Sequence, residues 1–282
     1  MAYLALFGTV IIWGLGPPLS KKVTGTPTTI AAVRLWMAVP STMLLQRLTG
    51  SKPSLRAFRK SWLGGALFAA NMLFFFSALK HVTVATLTLI GVLQPVVISI
   101  ASVKLFGEKL SRWWVTWTTV AIIGVGLAVL LAGKSVRADP IGLVLTMGTV
   151  VAFSTYLLVA RRVRVHLSSS EYLFGVMTWA AIFLTIPLFF KGIQLHELGR
   201  ADFGWMGLIL LGPGMVGHLL MNWVIPKLPM SITSLQMLPA TVVSIAAAWP
   251  MHHEHITLTQ GMAGLLTLVA VGLVVHGPFT RV

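Results

Sequence analysis

The chain has 282 residues, of which 56% are hydrophobic and only 10% charged; 21 Lys and Arg stand against 6 Asp and Glu, a formal net charge of +15, and cysteine is absent. A soluble domain carries about 25% charged residues, so an ordinary globular domain is excluded, as are disulfides, thiolate metal sites and cysteine nucleophiles. The basic residues sit mainly in short connections between apolar runs, which reads as membrane topology and contact with anionic headgroups rather than nucleic-acid binding.

A bilayer-spanning helix needs roughly 20 consecutive apolar residues, and such runs follow one another along the chain. The first, 3–20, ends at Pro17-Pro18; it lacks a basic flank and a small-residue cleavage site, and reads as a retained span rather than a signal peptide. The second, 28–47, holds Pro40 and Arg34, the one Lys or Arg clearly inside a span. The connection 48–60, with TGSKPSLRAFRKS, is the longest, so no soluble domain is inserted. Span 61–79 carries Asn71 and Phe74 to Phe76, and span 84–104 carries Gln94 and Pro95 before LFGEKLS with Glu108. Spans 113–132, 140–160 and 172–190 follow, the second with Tyr156 and the third with Trp179 and Pro187. Span 204–225 contains Pro213, His218 and Asn222; span 231–251 contains Gln236, Pro239 and Pro250. After MHHEHI at 251–256, with Glu254, the last run covers 258–276. The expectation is an all-α polytopic protein of ten transmembrane helices. Trp62, Trp113 and Trp114 fall at span ends and read as interfacial belt residues.

The two halves resemble each other. GTVIIW at 8–13 returns as GTVVAF at 148–153, and at the same offset Lys21-Lys22-Val23 falls on Arg161-Arg162-Val163. EKLS at 108–111 returns as EHIT at 254–257, and Gly126 and Gly272 follow the two glutamates at equal distance. Two five-span units, 1–137 and 138–282, are expected. Five is odd, so the second unit enters the membrane inverted. With the N-terminus cytoplasmic, the inward connections hold Arg47, Lys52, Arg56, Arg59, Lys60, Lys104, Lys109, Arg112, Arg161, Arg162, Arg164, Lys227 and Arg281, against Lys21, Lys22, Lys80, Lys134, Arg137, Lys191 and Arg200 in the outward ones. That places both termini inside. Inverted repeats of this kind occur in many transporters, with a solute site near the midplane.

IIWG in the first span, AAVRLWMA in the second and ALKHVTVATLTLIGVLQPVVISIASVKLFGEKLS over the third connection and fourth span make the chain similar to the EamA family of the drug/metabolite transporter superfamily. The resemblance covers essentially the whole chain. It implies the ten-helix, two-repeat fold and an alternating-access transporter, usually one exporting metabolites from bacteria, hence a multi-pass inner-membrane protein. The second half departs from the pattern: His253 replaces the glycine before the glutamate, Pro250 is an extra break, and Pro239 lies farther from Glu254 than Pro95 does from Glu108.

Glu108 and Glu254 each precede a helix start, near Ser111 and Thr257, where a carboxylate meets the positive end of the helix dipole. They are expected to pin the last helix of each repeat, with gating as the other reading; Pro95 and Pro239 join them as gating or structural positions. Arg34 lies about six residues into its span, roughly 9 Å deep, and either anchors an anion or snorkels to the outer headgroups. EamA-like sequences commonly carry arginine there, which implies a structural share. Asn71, Gln94, Tyr156, His218, Asn222 and Gln236 fall within spans of both halves, and either line a cavity or glue helices. Trp13 is expected on the cavity wall, with Phe74 to Phe76 and Trp179 as further aromatic candidates, against plain packing. Pro17, Pro18, Pro40, Pro187 and Pro213 mark kinks, span ends or hinges. MHHEHI has metal-capable residues without zinc spacing, and no metal or other cofactor is expected. No carboxylate falls in mid-span, which disfavours a cation antiporter and favours a small polar solute such as an amino acid or carboxylate-bearing derivative. A lipophilic-cation exporter and a membrane enzyme or lipid-handling protein are the other readings; no nucleophile, phosphate loop or cofactor signature speaks for an enzyme. Partners expected are a small-molecule substrate and membrane lipids, in a monomer or homodimer.

Overall fold

The computed structural model describes residues 1–51, 54–130, 139–191, 195–253 and 258–276, and its regular elements are helices. In chain order they are α1 (Ala2–Gly14), α2 (Gly16–Lys21), α3 (Pro27–Leu48), α4 (Leu55–His81), α5 (Val84–Gly91), α6 (Gln94–Phe106) and α7 (Arg112–Leu130). Then come α8 (Pro140–Val163), α9 (Ser169–Lys191), α10 (Arg200–Ile209), a π-helical segment Leu210–Gly217, α11 (His218–Val224), α12 (Met230–Thr233), α13 (Met237–His252) and α14 (Leu258–His276). Among the described residues, 7 helical stretches are long and apolar enough to cross a bilayer: Ala2–Lys21, Pro27–Leu48, Leu55–His81, Pro140–Val163, Ser169–Ile186, Arg200–Val224 and Met230–His252. The chain is therefore a multi-pass membrane protein.

The expected single span 84–104 is instead two helices, broken at Val92 and Leu93. Pro95 lies in the first turn of α6 and has no N–H to offer the last carbonyls of α5. The expected loop 48–60 is also shorter than the sequence suggests. Ser54 Oγ accepts from Ala57 N at 3.4 Å and caps α4, so Arg56, Arg59 and Lys60 belong to its first turns. Trp114 is no belt residue: it is buried, and its Nε1 donates to Ser231 O at 3.4 Å. Trp62 and Trp113 stay exposed.

The scarce acidic residues stitch helix ends. Asp139 Oδ1 accepts from Gly142 N at 2.6 Å, capping α8, while Oδ2 meets His81 Nδ1 at 2.9 Å. Ser168 and Glu171 form a capping box on α9, Glu171 Oε2 accepting from Ser168 N at 2.8 Å and Ser168 Oγ from Glu171 N at 3.2 Å. Asp202 Oδ2 accepts from Gly199 N at 2.8 Å at the start of α10. The same carboxylate holds the 22–26 loop, accepting from Thr24 N at 2.7 Å and Thr24 Oγ1 at 2.8 Å, beside Glu197, which accepts from Thr26 N at 2.8 Å.

Glu108 differs from expectation. It does not serve the first turn of α7, where Ser111 Oγ accepts from Trp114 N at 3.0 Å. It reaches instead to α12 in the other half, accepting from Met230 N at 2.6 Å, Ser231 N at 3.0 Å and Ser231 Oγ at 2.8 Å, and from Ser102 Oγ at 3.1 Å. The residue before each glutamate has a left-handed backbone: Gly107 at φ 68° ends α6, and His253 at φ 56° ends α13. Glu254 and its neighbours 255–257 lie outside the described residues.

The main core joins α3, α4, α8 and α9 with α10 and α11. Small residues let the helices close up. A Cβ on Gly65 of α4 would lie 2.3 Å from Trp179 Cβ of α9, and one on Gly14 of α1 would lie 2.6 Å from Val243 Cβ of α13. A second core forms where α7 pairs with α14 and meets α12 and α13.

Candidate solute cavity

Between these helices lies a cavity of about 170 Å³. Its walls come from the end of α1 and from α2, from Arg34 in the first half of α3, from the second half of α4, from α5 and the start of α6, from the α8 segment Thr146 to Phe153, from the π segment and from the first half of α13. The ends of α1 and α4 and the start of α8 run toward the 22–26 loop and the α4–α5 connection, while α13 crosses from the Glu108–α12 contact to the His252–Pro18 contact, so the cavity lies between these two ends of the bundle.

Arg34 enters from α3 and is 6% exposed. The one hydrogen bond its side chain makes among the described residues runs from Nη1 to Met72 Sδ at 2.9 Å, and a thioether is a weak acceptor. The guanidinium also lies over Phe76, with 5.9 Å from Cζ to the ring centroid. The only ion pair among the described residues is His81 with Asp139, at the bundle end. Among the described residues, then, no carboxylate compensates the charge that Arg34 brings to the cavity wall. A buried unpaired ion is costly, and a bound anion relieves that cost.

His218 faces the same space from α11. Its ring packs against Trp13 and Phe68, each with centroids 4.9 Å away, and its Nδ1 is buried without a partner. Trp13 donates from Nε1 to Pro213 O at 3.1 Å. The π turn surrounds that proline, whose missing N–H prevents a regular α-helical ladder. Its glycines make room for the Trp13 and Arg34 side chains. A Cβ on Gly217 would stand 2.4 Å from Trp13 Nε1, and one on Gly214 would stand 3.2 Å from Arg34 Nη2. Asn71 lines the cavity and donates from Nδ2 to Thr149 O at 3.2 Å; Gln94 lines it at the α5–α6 break.

Of the expected binding residues, Trp13, Arg34, Asn71, Gln94 and His218 lie on this one wall. Tyr156, Asn222 and Gln236 do not. Gln236 is held inside the protein, taking a hydrogen bond from Thr9 and donating from Nε2 to Met221 Sδ at 3.0 Å. Tyr156 and Asn222 are wholly buried beyond His218. Phe75 is on the wall, while Phe74 and Phe76 are not; Trp179 packs away from it, donating to Phe58 O at 2.8 Å. Pro17 is on the wall, and Pro40 sits inside α3 without ending it. The side chain of Pro187 lies outside the described residues. Pro95 and Pro239 are buried near the starts of α6 and α13.

The wall also includes Thr88, Thr146, Thr149, Thr241 and Ser244, which the sequence does not single out. Thr146 Oγ1 donates to Gly142 O at 2.7 Å and Thr241 Oγ1 to Met237 O at 2.9 Å, so their protons serve their own helices. Hydroxyls of this kind are common in spans and carry no sequence signal of their own. Five acidic residues, Glu108, Asp139, Glu171, Glu197 and Asp202, are engaged at helix ends away from this wall. In the histidine-rich segment, His252 Nε2 donates to Pro18 O at 2.8 Å.

No curated protein matches the sequence. Among solved structures, a chain titled "Crystal structure of protein" is similar at a TM-score of 0.80 with 17% identity, covering 97% of this chain and 96% of its own, which shows a shared fold. The model of the EamA-like transporter family matches residues 1–130 and again 140–276. With that match spanning both halves, the chain belongs to the EamA-like transporter family.

Proposed function

We propose that the protein exports small carboxylate-bearing metabolites, amino acids or their anionic or zwitterionic derivatives, by alternating access through this cavity. The observation that carries the reading is Arg34: buried, unpaired among the described residues and aimed into a space shared with Asn71, Gln94 and His218. A guanidinium offers a planar fork matched to a carboxylate. A cationic solute would meet repulsion and no carboxylate on the wall.

The architecture behind the reading is two five-helix units, 1–137 and 138–282, laid in opposite directions and together making ten spans. Its support is the sequence repeat, the shared left-handed ends at Gly107 and His253, and the exchange of contacts between halves. α4 packs on α8 as α1 packs on α11, and α5 and α6 pack on α8 as α13 packs on α1. The reading places the chain in a bacterial inner membrane with both termini cytoplasmic. The unit is a monomer or homodimer in contact with membrane lipids, and it needs no cofactor.

Counterflow of labelled amino acids and carboxylates into proteoliposomes tests the function. Saturable flux is expected. Arg34→Ala removes a charge-assisted contact of about 2–4 kcal/mol, a loss of roughly 30- to 900-fold in affinity, and Arg34→Lys keeps part of it. No saturable flux across a broad panel, or a folded Arg34→Ala variant that transports like wild type, overturns the reading.

A further inference from the structure

At His218 and beyond it, away from the cavity, five buried polar atoms lack a close hydrogen bond: His218 Nδ1, Asn222 Oδ1, Asn222 Nδ2, Tyr156 Oη and Tyr172 Oη, with the Tyr156 hydroxyl and the Asn222 amide having only each other as a loose partner. They form one continuous run. The Tyr156 ring lies 5.9 Å from His218 and 6.3 Å from Tyr172, and Asn222 sits one helical turn beyond His218, beside the Tyr156 hydroxyl. Arg164 closes the run at the opposite face. It is 8% exposed, donates from Nε to Asn222 O at 2.8 Å and from Nη2 to Ser169 Oγ at 2.8 Å, and lies within electrostatic reach of both phenols. Gly64 leaves room at the Tyr172 hydroxyl, since a Cβ there would lie 2.4 Å from Oη.

Buried polar atoms nearly always have partners, and each orphan costs free energy. Phenylalanine and leucine would fill this space without that cost, so packing does not account for the five together. The chemistry is donor-rich, with two phenols, an amide and a guanidinium set against one amide oxygen. We propose that Tyr156, Tyr172, Asn222 and Arg164 form a second carboxylate station, occupied when the pathway opens to the Arg164 face and the Arg34 cavity closes. The identity of the solute rests on the proposed function; the anion-accepting station does not. A carboxylate then passes from one guanidinium to the other with His218 between them.

The test uses the full-length chain in proteoliposomes. Tyr172→Phe and Asn222→Leu remove station donors and leave the Arg34 cavity in place. Carboxylate counterflow is expected to fall about tenfold or more, the scale of one lost hydrogen bond to a charged group. Binding of the same solute in detergent, which Arg34→Ala weakens, is expected to stay within about twofold of wild type in both variants, and the melting temperature of Tyr172→Phe not to fall, because its deleted hydroxyl loses no partner. Wild-type counterflow in both variants overturns the station. So does a loss of binding that tracks a lowered melting temperature, the mark of a merely structural role. Because the chain has no cysteine, Asn222→Cys gives a reading that needs no solute. The anionic reagent methanethiosulfonate ethylsulfonate is expected to modify it from the Arg164 face. Modification from the other face alone, or from neither, overturns the station. If wild type moves no carboxylate while Asn222→Cys reacts from the Arg164 face, the station stands and the substrate reading falls.

Discussion

Replacing Glu108 by alanine strips four hydrogen bonds that tie the end of α6 to the start of α12. Two of the donors are backbone N–H groups, Met230 at 0% exposure and Ser231 at 5%, where water has little access. An orphaned buried donor costs about 1–3 kcal/mol, and the Ser231 hydroxyl can rotate to recover part of the loss. The expected cost is about 3 kcal/mol. At the roughly 2–4 °C per kcal/mol of a large domain, the melting temperature in detergent falls by about 6–12 °C. Glu108→Gln keeps one acceptor oxygen and falls between the two. Glu108→Ala should couple with Ser231→Ala, whose hydroxyl it holds, and add to Ser111→Ala, which uncaps a different helix. The assay is thermal unfolding of the four single and two double variants. The reasoning fails if Glu108→Ala melts within about 2 °C of wild type, or if Glu108 couples to Ser111 and not to Ser231.

Gly217→Ala drives a methyl group into Trp13 Nε1 and should break the bond to Pro213 O, so solute affinity falls while Gly204→Ala, which meets open space, is silent; equilibrium binding of the two variants checks this. His253→Gly relieves a left-handed side-chain residue and should stabilise by about 0.5–1 kcal/mol, whereas Gly107→Ala should destabilise by a similar amount; opposite shifts in melting temperature are the expected result. Asp202→Ala frees the 22–26 loop from α10, and amide exchange at Thr24 and Gly199 should accelerate by about tenfold or more as the lost carboxylate acceptors open both N–H groups.

Composition and run length make the membrane class legible, and LFGEKLS and its neighbours point to the family that matches both halves. Arg34 stands out because a charge in mid-span is rare, and it lies on the cavity wall. Asn71, Gln94 and His218 stand out for the same reason. Tyr156, Asn222 and Gln236 carry an equal sequence signal but sit off that wall, because polarity within a span marks burial without saying which interior space receives it. The α5–α6 break depends on how Gln94-Pro95 follows Gly91, and the hydropathy of the run hides it. The π turn has a signal in LGPGMVG, where a proline between glycines interrupts a helix. The partner of Glu108 has no local signal, since α12 lies far along the chain and comes near only through the fold.

With the five described carboxylates committed to helix ends, the described wall carries the charge of Arg34 and no acid beside it. At an effective dielectric of about 20, a monovalent cation about 5 Å from Arg34 is repelled by about 3 kcal/mol, enough to dilute it more than a hundredfold relative to a neutral solute of the same size. An anion is drawn in over the same distance without displacing any resident counter-charge. Under the proposed function, the cavity acts as a small ion-exchange bead of fixed polarity, and a solute is filtered electrostatically before it touches a side chain.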